Sequence, residues 1–339
     1  MKIAFFSTRT YDKQFFNRMN IDFRFEITYF DATLTSVTAS LASGYDAVCV
    51  FVNDHLDAET IRALKKQGVR LIALRCAGFN NVDLQEAANQ GIAVVRVPAY
   101  SPHAVAEHAV ALLLTLNRKT HKAYNRVRES NFSLDGLVGF DLNQKTVGVI
   151  GMGKIGSVFA TIMQGFGCHV LAYDPNRTGH VETDALGRTM EFCDLDRLYT
   201  ESDIISLHCP LTDSTKHLIG EEAVMKMKPG VMIINTSRGP IIDTPAVIRA
   251  LKQGIIGALG IDVYEQEDDL FFADHSGDVL LDDDIARLLT FPNVLITGHQ
   301  AFFTENALKE IAHVTLENIR QFGAGMALKN EVRRANSAA

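Results

Sequence analysis

Three side chains of complementary chemistry, Arg238, Glu267 and His299, each lie near the carboxyl end of a different predicted strand. A guanidinium clamps a carboxylate through two parallel N–H bonds, and an imidazole exchanges a proton with an oxygen near neutral pH. A carboxylate beside that imidazole favours its protonated form. Taken singly, Arg238 could be a surface charge, Glu267 part of an acidic stretch and His299 the neighbour of a helix cap. Together they predict acid–base chemistry on a substrate that carries a carboxylate.

The element that must position such a set is the segment 146–156, where an apolar strand runs directly into Gly151-x-Gly153-x-x-Gly156. A helical pattern follows from Ser157 to Phe166. Gly151 allows a tight turn, Gly153 lets the backbone approach a pyrophosphate, and Gly156 lets the helix pack closely on the strand. The helix N-terminus then offers free N–H groups to phosphates. Because such glycine spacing also occurs in ordinary loops, the flanking strand and helix carry the prediction of a dinucleotide site.

A second predicted strand, residues 169–173, ends at Asp174. Its distance from Gly156 is close to the ~20 residues expected for a carboxylate that binds the ribose 2′-OH. A carboxylate there repels a 2′-phosphate, so the cofactor is predicted to be NAD rather than NADP. Lys154 weakens this argument because it could pair with a phosphate, and Asp174 could instead be a turn residue before Pro175.

Composition restricts the class of protein. The chain has 339 residues, of which 47% are hydrophobic and 22% charged, and this predicts a soluble protein with room for two domains. The net charge of −7, with no block of Lys or Arg, argues against nucleic acid or an anionic membrane as partner. The N-terminus begins a strand without a signal-peptide layout, and the apolar stretch 109–116 is far shorter than the ~20 residues of a membrane helix.

The cysteines indicate a reducing compartment. There are five, an odd number, and no pair has the C-x-x-C spacing. All except Cys193 lie in or beside apolar strand-like runs. We therefore expect reduced core thiols in a cytoplasmic protein, not disulfides or a zinc site.

The first hundred residues alternate strand and helix, which predicts a parallel sheet covered on both faces and a domain of its own. The predicted strands are 2–7, 25–30, 46–52, 69–74 and 92–97, and the predicted helices are 11–19, 57–67 and 83–90. The stretch 75–83 follows a strand, so the N–H groups of Ala77 and Gly78 could hold a carboxylate at its end. From the residues alone, a plain turn with Asp83 as helix cap is favoured.

A long helix is predicted from Pro102 to about Arg128, beginning after Ser101 and changing from an apolar to a basic half. This helix suits a connector between domains. Glu107 and His108 lie in its apolar half and are interpreted as a satisfied buried pair, with contacts at an interface as the alternative. The basic half is interpreted as a solvated face, and 130–143 as a polar loop.

Four later strands, predicted over 203–210, 231–235, 256–261 and 293–297, place polar residues at the same sheet edge as the glycine turn. An irregular acidic stretch, which includes Asp268, Asp269 and the run Asp282–Asp284, lies between residues 267 and 291. A metal site there is conceivable, but the spacing does not match a calcium loop, so a surface excursion without metal is favoured. A last helix from Thr304 to about Phe322 should pack on the first domain.

Taken together, these motifs resemble the D-isomer-specific 2-hydroxyacid dehydrogenases, and within that family the bacterial fermentative D-lactate branch. The resemblance extends from the first strand to about Asn330. The segments that carry it are 75–83, 97–102, 106–108, 151–156, 208–212, 235–239, 262–265, 269–272 and 298–302.

The resemblance implies a role for each matching residue. Arg238 would bind the substrate carboxylate, His299 would be the acid/base, and Glu267 would orient and polarise His299. The residues implied to bind NAD are Gly151, Gly153, Lys154, Ile155, Gly156, Asp174, Cys209, Pro210, Thr236, Ser237, Arg238 and Asp262. Those implied to complete the substrate pocket are Ala77, Gly78, Tyr100 and Phe302. Because Ala77 and Gly78 lie in the stretch 75–83, the resemblance reverses the preference for a plain turn there.

The resemblance also implies the architecture. A Rossmann-type NAD-binding domain, residues 102–299, would be inserted into a discontinuous flavodoxin-like α/β substrate domain, residues 1–101 and 300–330. Residues 331–339 would be a frayed tail. The active site would lie in the cleft between the domains, and the protein would be a homodimer or homotetramer with the helix from Pro102 near the interface.

The expected activity is the reversible reduction of pyruvate to D-lactate by NADH. The D stereochemistry rests on the resemblance alone. One alternative is a relative that acts on a bulkier 2-oxo acid, such as phenylpyruvate or a branched-chain keto acid. Another is a non-catalytic NAD-sensing, corepressor-like protein, which would not need the proton donor that His299 supplies.

Overall fold

A computed structural model describes residues 1–177, 180–183, 187–267 and 270–333. The chain divides into two compact units. One consists of Met1–Ser101 together with the chain from Phe303 onward, and the other of Pro102–Phe302. Asp268 and Asp269 of the acidic stretch, and residues 334–339 of the predicted tail, lie outside the described residues.

The first unit is built on a five-stranded parallel sheet. Its order, β2-β1-β3-β4-β5, is that of flavodoxin-like doubly wound folds. The strands are β1 (Lys2–Phe5), β2 (Glu26–Tyr29), β3 (Ala47–Val50), β4 (Leu71–Leu74) and β5 (Ala93–Val95), and the helices are α1 (Thr10–Phe23), α2 (Ala58–Lys66), α3 (Leu84–Asn89) and the last helix, α11 (Glu305–Gly323). Strands β3 and β4 are buried on both faces, as expected of a parallel sheet under helices.

The last helix packs on the first unit, as predicted, because α11 lies against α1 and β4. Beyond it, the expectation of a frayed tail from residue 331 does not hold for the described residues. Glu331 pairs with Val95, and the Val332 N–H donates to the Val94 carbonyl at 2.8 Å. Strand β5 lies at the edge of the sheet, where backbone groups lack a neighbouring strand, and residues 331–332 hydrogen-bond to those groups.

Within its described residues, the second unit contains an eight-stranded sheet of order β13-β12-β11-β10-β6-β7-β9-β8. The strands are β6 (Thr146–Ile150), β7 (His169–Tyr173), β8 (Val181–Thr183), β9 (Thr189–Phe192), β10 (Ile204–Leu207), β11 (Val231–Asn235), β12 (Ile256–Ile261) and β13 (Val294–Ile296). All neighbours are parallel except β8 and β9. The six strands from β9 to β12 have the Rossmann order, so the α/β prediction with a Rossmann-type unit is confirmed.

Helices cover the sheet of this unit, and several of them begin at a residue whose side chain caps the first N–H groups. They are α4 (Pro102–Arg118), α5 (Thr120–Arg128), α6 (Lys154–Gly165), α7 (Leu195–Glu201), α8 (Glu221–Lys226), α9 (Thr244–Gln253) and α10 (Asp283–Leu289). The acidic run at 282–284 is the start of α10. Asp282 accepts N–H bonds from Asp284 and Ile285, and the acids that follow suit a helix N-terminus.

The prediction of a single helix from Pro102 to Arg128 is wrong, because two helices occupy this range. Lys119 has φ 50°, a left-handed conformation that ends α4 and starts α5. Its ammonium donates to the carbonyls of Gly136 and Val138 at 2.8 and 2.9 Å. The polar loop that follows α5 thus folds back on the end of α4 and interrupts the helix. None of the residues of α5 is buried, in agreement with the predicted solvated face.

Among the described helices, none is long and apolar enough to cross a membrane. All five cysteines are free and buried, so the prediction of core thiols is confirmed, and it extends to Cys193.

Candidate active site

The carboxyl ends of the parallel strands of the second unit meet at one edge of the sheet, where every predicted catalytic side chain follows a strand. The glycine turn follows β6, and Arg238 follows β11. Glu267 comes after β12 and His299 after β13. Ligands bind at this edge in open α/β sheets.

The three glycines fulfil three different steric requirements. Gly151 has φ +96°, and a Cβ there would lie 2.5 Å from the Cys209 nitrogen. A Cβ on Gly156 would lie 2.0 Å from the Gly151 carbonyl oxygen, so the helix can approach the strand only without one. A Cβ on Gly153 would meet nothing within 4 Å. The space at Gly153 is therefore open and is available to a ligand.

Helix α6 starts at this open space without a capping side chain. Gly153 occupies its N-cap, and among the described residues no side chain caps the first N–H groups. Those groups and the positive end of the helix dipole suit a pyrophosphate. After β11, at the same carboxyl edge of the sheet, the Thr236 Oγ1 atom is buried and has no hydrogen-bond partner within the described residues. The residues present therefore fit a dinucleotide.

Asp174 follows β7 and lies beside the glycine turn. Its Oδ2 accepts the Met152 N–H at 3.2 Å, and its Oδ1 accepts the Asn176 N–H at 3.0 Å. The side chain is half-buried and held next to the loop that would take the phosphates. This is the position from which a carboxylate reaches a ribose hydroxyl.

Cys209 and Ser237 join two of the strand ends. The Ser237 hydroxyl donates to the Cys209 carbonyl at 2.5 Å, and the Cys209 nitrogen lies against Gly151. Burial raises the pKa of the Cys209 thiol to about 11, so the side chain is a neutral apolar wall. Pro210 and Lys154 are exposed at the same edge, and Ile155 is half-buried.

Arg238 is half-buried at the turn after β11. Asn235, which is fully buried, fixes this turn by donating to the Arg238 carbonyl at 2.9 Å and accepting the Ser237 N–H at 3.0 Å. The guanidinium Nη1 donates to the Ser237 carbonyl at 2.7 Å. Beside this contact, the guanidinium has further N–H groups that can bind a carboxylate.

Glu267 and His299 form the acid–base pair that their residue types suggested. The Nδ1 atom of His299 lies 2.8 Å from Oε1 of Glu267, and both side chains are 17% exposed. The second carboxylate oxygen, Oε2, accepts the Tyr264 N–H at 2.8 Å. Since Glu267 holds Nδ1 as a donor, Nε2 is the nitrogen left to exchange a proton with a substrate.

Asp262 holds the turn that presents His299. It is fully buried, and its oxygens accept hydrogen bonds from the Gln300 and Ala301 N–H groups at 2.9 and 2.8 Å. Its backbone carbonyl accepts the His299 N–H at 2.7 Å. Its place in the implied cofactor site stays a prediction, whereas its hydrogen bonds to the turn are a finding.

The stretch 75–83 lies in the first unit, and its loop is fixed by Arg96. The guanidinium of Arg96 donates to the Ala77 carbonyl at 2.7 Å and lies 5.0 Å from the centre of the Phe79 ring. Within the described residues, the Ala77 and Gly78 N–H groups donate no hydrogen bond. Asp83 caps α3, as its alternative interpretation predicted. One loop therefore contains both the N–H groups of Ala77 and Gly78, which could hold a carboxylate, and the helix cap Asp83.

One part of the sequence interpretation needs correction at the site. Glu107 is exposed, so Glu107 and His108 are not a buried pair. His108 instead contacts Thr297, which lies 189 positions away and could not be found by local patterns.

Among the described residues, no group of three His, Cys, Asp or Glu side chains could hold a metal ion. Tyr100 and Phe302 are partly and fully buried, respectively.

The comparison with known proteins agrees with this geometry. Residues 110–301 match the family described as D-isomer specific 2-hydroxyacid dehydrogenase, NAD binding domain. The chain is 54% identical to 2-hydroxyacid dehydrogenase A of Aspergillus oryzae, covering 98% of this chain and 96% of that protein. It is 53% identical to D-lactate dehydrogenase of Escherichia coli, covering 98% and 100%.

Solved structures give the same result. The apo-structure of D-lactate dehydrogenase from Escherichia coli superposes with a TM-score of 0.87 at 50% identity, covering 98% of this chain and 100% of that one. The structure of D-2-hydroxyisocaproate dehydrogenase has a TM-score of 0.84 at 32% identity, covering 98% and 99%. Together with the NAD-binding match over more than half of the sequence, these results show that the chain belongs to the D-isomer-specific 2-hydroxyacid dehydrogenases, a family of NAD-binding oxidoreductases.

Proposed function

We propose that this protein is an NAD-dependent D-lactate dehydrogenase that interconverts pyruvate and D-lactate. The observation that carries the proposal is the 2.8 Å hydrogen bond between His299 and Glu267 at the carboxyl edge of the sheet. The relatives named D-lactate dehydrogenase in Escherichia coli and Curvularia clavata, at 53% and 52% identity, support the choice of substrate.

Each catalytic residue receives one role. Arg238 binds the carboxylate of the 2-oxo acid through N–H groups other than its Ser237 contact. Protonated His299 donates from Nε2 to the carbonyl oxygen during reduction and takes the proton back during oxidation. Glu267 holds Nδ1 and stabilises the imidazolium by its negative charge. The glycine turn would hold NADH, which would supply the hydride for the carbonyl carbon.

The proposal extends to the cofactor and substrate contacts. The open space at Gly153, the uncapped N-terminus of α6 and Asp174 support pyrophosphate and ribose binding by the second unit. The free N–H groups of Ala77 and Gly78 support a role in binding the substrate carboxylate. Tyr100 and Phe302 are proposed as further substrate contacts on the basis of the family resemblance.

We propose that the protein forms homodimers or homotetramers and works in the cytoplasm. A set of apolar side chains on α5 and the loop after it is exposed, and such a patch suits a second copy of the chain. Its members are Tyr124, Val127, Phe132, Leu134 and Val138. The five buried free thiols suit a reducing compartment. Sedimentation of the purified protein tests the assembly, and a monomer at micromolar concentration would contradict it.

The function is tested by following NADH absorbance with pyruvate. We expect rapid oxidation of NADH, slow oxidation of NADPH, and D-lactate as the product identified by chiral chromatography. Comparison of kcat/KM for pyruvate, a branched-chain 2-oxo acid and phenylpyruvate tests the substrate. A higher value for a bulkier acid would replace pyruvate in the proposal. Failure to oxidise NADH with all three acids would leave a cofactor-binding protein without catalysis.

A further inference from the structure

His108, in the apolar half of α4, reaches the turn that carries His299. Its Nε2 lies 3.0 Å from the Thr297 hydroxyl and 3.4 Å from Oδ1 of Asp262. The Thr297 hydroxyl is in turn 2.5 Å from the same Oδ1 atom. All of these residues belong to the second unit. A side chain from a helix is thereby joined to the loop after β13.

The direction of the hydrogen bonds follows from the proton inventory. The buried carboxylate of Asp262 accepts two backbone N–H bonds and is therefore an acceptor for Thr297 as well. The hydroxyl has one proton, which it gives to Asp262. Its oxygen must then accept from His108, so Nε2 of His108 carries a proton.

This chain of hydrogen bonds ends at a strained residue. His299 has φ 52°, a left-handed conformation that costs a non-glycine residue about 1–2 kcal/mol. Such a conformation persists only where surrounding bonds determine it. Here the His299 N–H donates to the backbone carbonyl of Asp262, and the N–H groups of residues 300 and 301 donate to its carboxylate. The orientation of the Asp262 carboxylate therefore helps to fix the turn from which the His299 ring projects.

We infer that His108 is a positioning residue for catalysis, which fixes the Asp262 carboxylate through Thr297 and so holds the His299 turn in place. The inference rests on the proposed function for its catalytic consequence. Removal of the His108 donor frees the Thr297 hydroxyl to rotate and leaves Asp262, which is fully buried, with weaker compensation. The imidazole of His299 then loses its fixed position relative to Glu267 and the substrate.

The test compares His108→Leu, which removes the donor, with His108→Gln, which keeps an N–H group at a similar reach. A matched control is His169→Gln, since His169 is exposed at the amino-terminal start of β7, the opposite edge of the sheet. We expect kcat/KM for pyruvate to fall about 10- to 100-fold in His108→Leu, because small misplacements of catalytic groups have effects of this size. The Gln variant should recover most of the loss, and His169→Gln should equal the wild type.

A double-mutant cycle separates positioning from general damage. Thr297→Val should lower kcat/KM as His108→Leu does, and the double variant should be no worse than the poorer single variant, because both remove the same link. If the two losses multiply, the residues act independently and the inference is wrong. If His108→Leu does not fold, Thr297→Val and Thr297→Ser provide the same comparison.

Amide hydrogen exchange provides a readout that needs no activity. In wild-type protein the amides of residues 299–301 should be protected, and His108→Leu should lose that protection while the amides of β6 keep theirs. Unchanged exchange at 299–301 would overturn the inference even if activity fell. A wild-type enzyme inactive with every 2-oxo acid would instead overturn the proposed function, and exchange would still decide whether His108 holds the turn.

Discussion

Oε1 of Glu267 and Nδ1 of His299 are 2.8 Å apart, and the other oxygen of Glu267 is fixed by the Tyr264 N–H. The carboxylate is therefore immobilised on both sides, and the imidazole is oriented by it. Because the pair is only 17% exposed, the negative charge acts on the ring with little solvent screening.

We predict that Glu267→Gln lowers kcat/KM for pyruvate reduction. The amide keeps the shape of the side chain but removes the charge that stabilises the imidazolium, which is the proton donor in this direction. Steady-state kinetics with pyruvate and NADH measure the loss, and a kcat/KM equal to that of the wild type would contradict it.

A second prediction concerns the guanidinium of Arg238. Arg238→Lys keeps the positive charge but cannot bind a carboxylate with two parallel N–H bonds. We expect kcat/KM for pyruvate to fall by about 10- to 100-fold, the equivalent of a charged hydrogen bond of about 1.5–3 kcal/mol. Because Arg238 is also among the residues implied to bind NAD, NADH affinity is measured by fluorescence, and the fall in kcat/KM should exceed any change in it.

Arg249→Lys is the matched control, because Arg249 is an exposed residue of α9 that pairs only loosely with Glu221 at 3.4 Å. If both substitutions had the same effect on kcat/KM, Arg238 would have no special role toward the substrate.

Local patterns predicted those parts of the fold that depend on adjacent residues. The apolar β-branched run of β6, the glycines after it and the strand ending at Asp174 all lie where the sequence placed them. Each of these features is determined within about ten residues by burial and backbone sterics. The catalytic trio was different, since each residue alone had an ordinary interpretation and the resemblance made the set specific.

The features that sequence did not predict depend on distant partners. The break at Lys119 requires the carbonyls of residues 136 and 138, and the role of His108 requires Thr297. The β8–β9 hairpin consists of two short strands with little buried surface, so it has no strong periodic pattern. Such contacts become visible only when the chain is folded.

Alanine substitutions at two glycines of the turn should act on different quantities: Gly156→Ala on stability and Gly153→Ala on cofactor affinity. Gly156→Ala puts a Cβ 2.0 Å from the Gly151 carbonyl oxygen, a backbone atom that cannot move away cheaply. We expect the free energy of unfolding to fall by about 3 kcal/mol. Gly153→Ala puts its Cβ in open space with an ordinary negative φ of −72°, so stability should stay the same.

For Gly153→Ala the expected effect is a loss of cofactor affinity. A methyl group in the space where the pyrophosphate is proposed to bind should weaken NADH affinity by about tenfold or more, or about 1.4 kcal/mol. Urea unfolding and NADH fluorescence titration measure the two quantities. Equal effects of both substitutions on stability, with no effect of Gly153→Ala on affinity, would argue against this position for the pyrophosphate.

The last prediction concerns His208, at the end of β10, and the stability of the protein in acid. Burial lowers the pKa of His208 to about 3, and its Nε2 lies 2.9 Å from the Ser206 hydroxyl. The unfolded chain takes up a proton at this residue below about pH 6.5, while the folded protein does not. The folded state therefore loses stability as the pH falls from about 6.5 toward 3.

His208→Gln removes this proton uptake and keeps a polar group near Ser206. From pH 7.5 to pH 5 we expect the wild type to lose on the order of 1–2 kcal/mol of unfolding free energy more than the variant. Urea unfolding of the cofactor-free protein at the two pH values measures the difference. His169→Gln, at an exposed position, is the control for the replacement of a histidine by glutamine. If His208→Gln had the same pH dependence as the wild type, His208 would titrate alike in the folded and unfolded states.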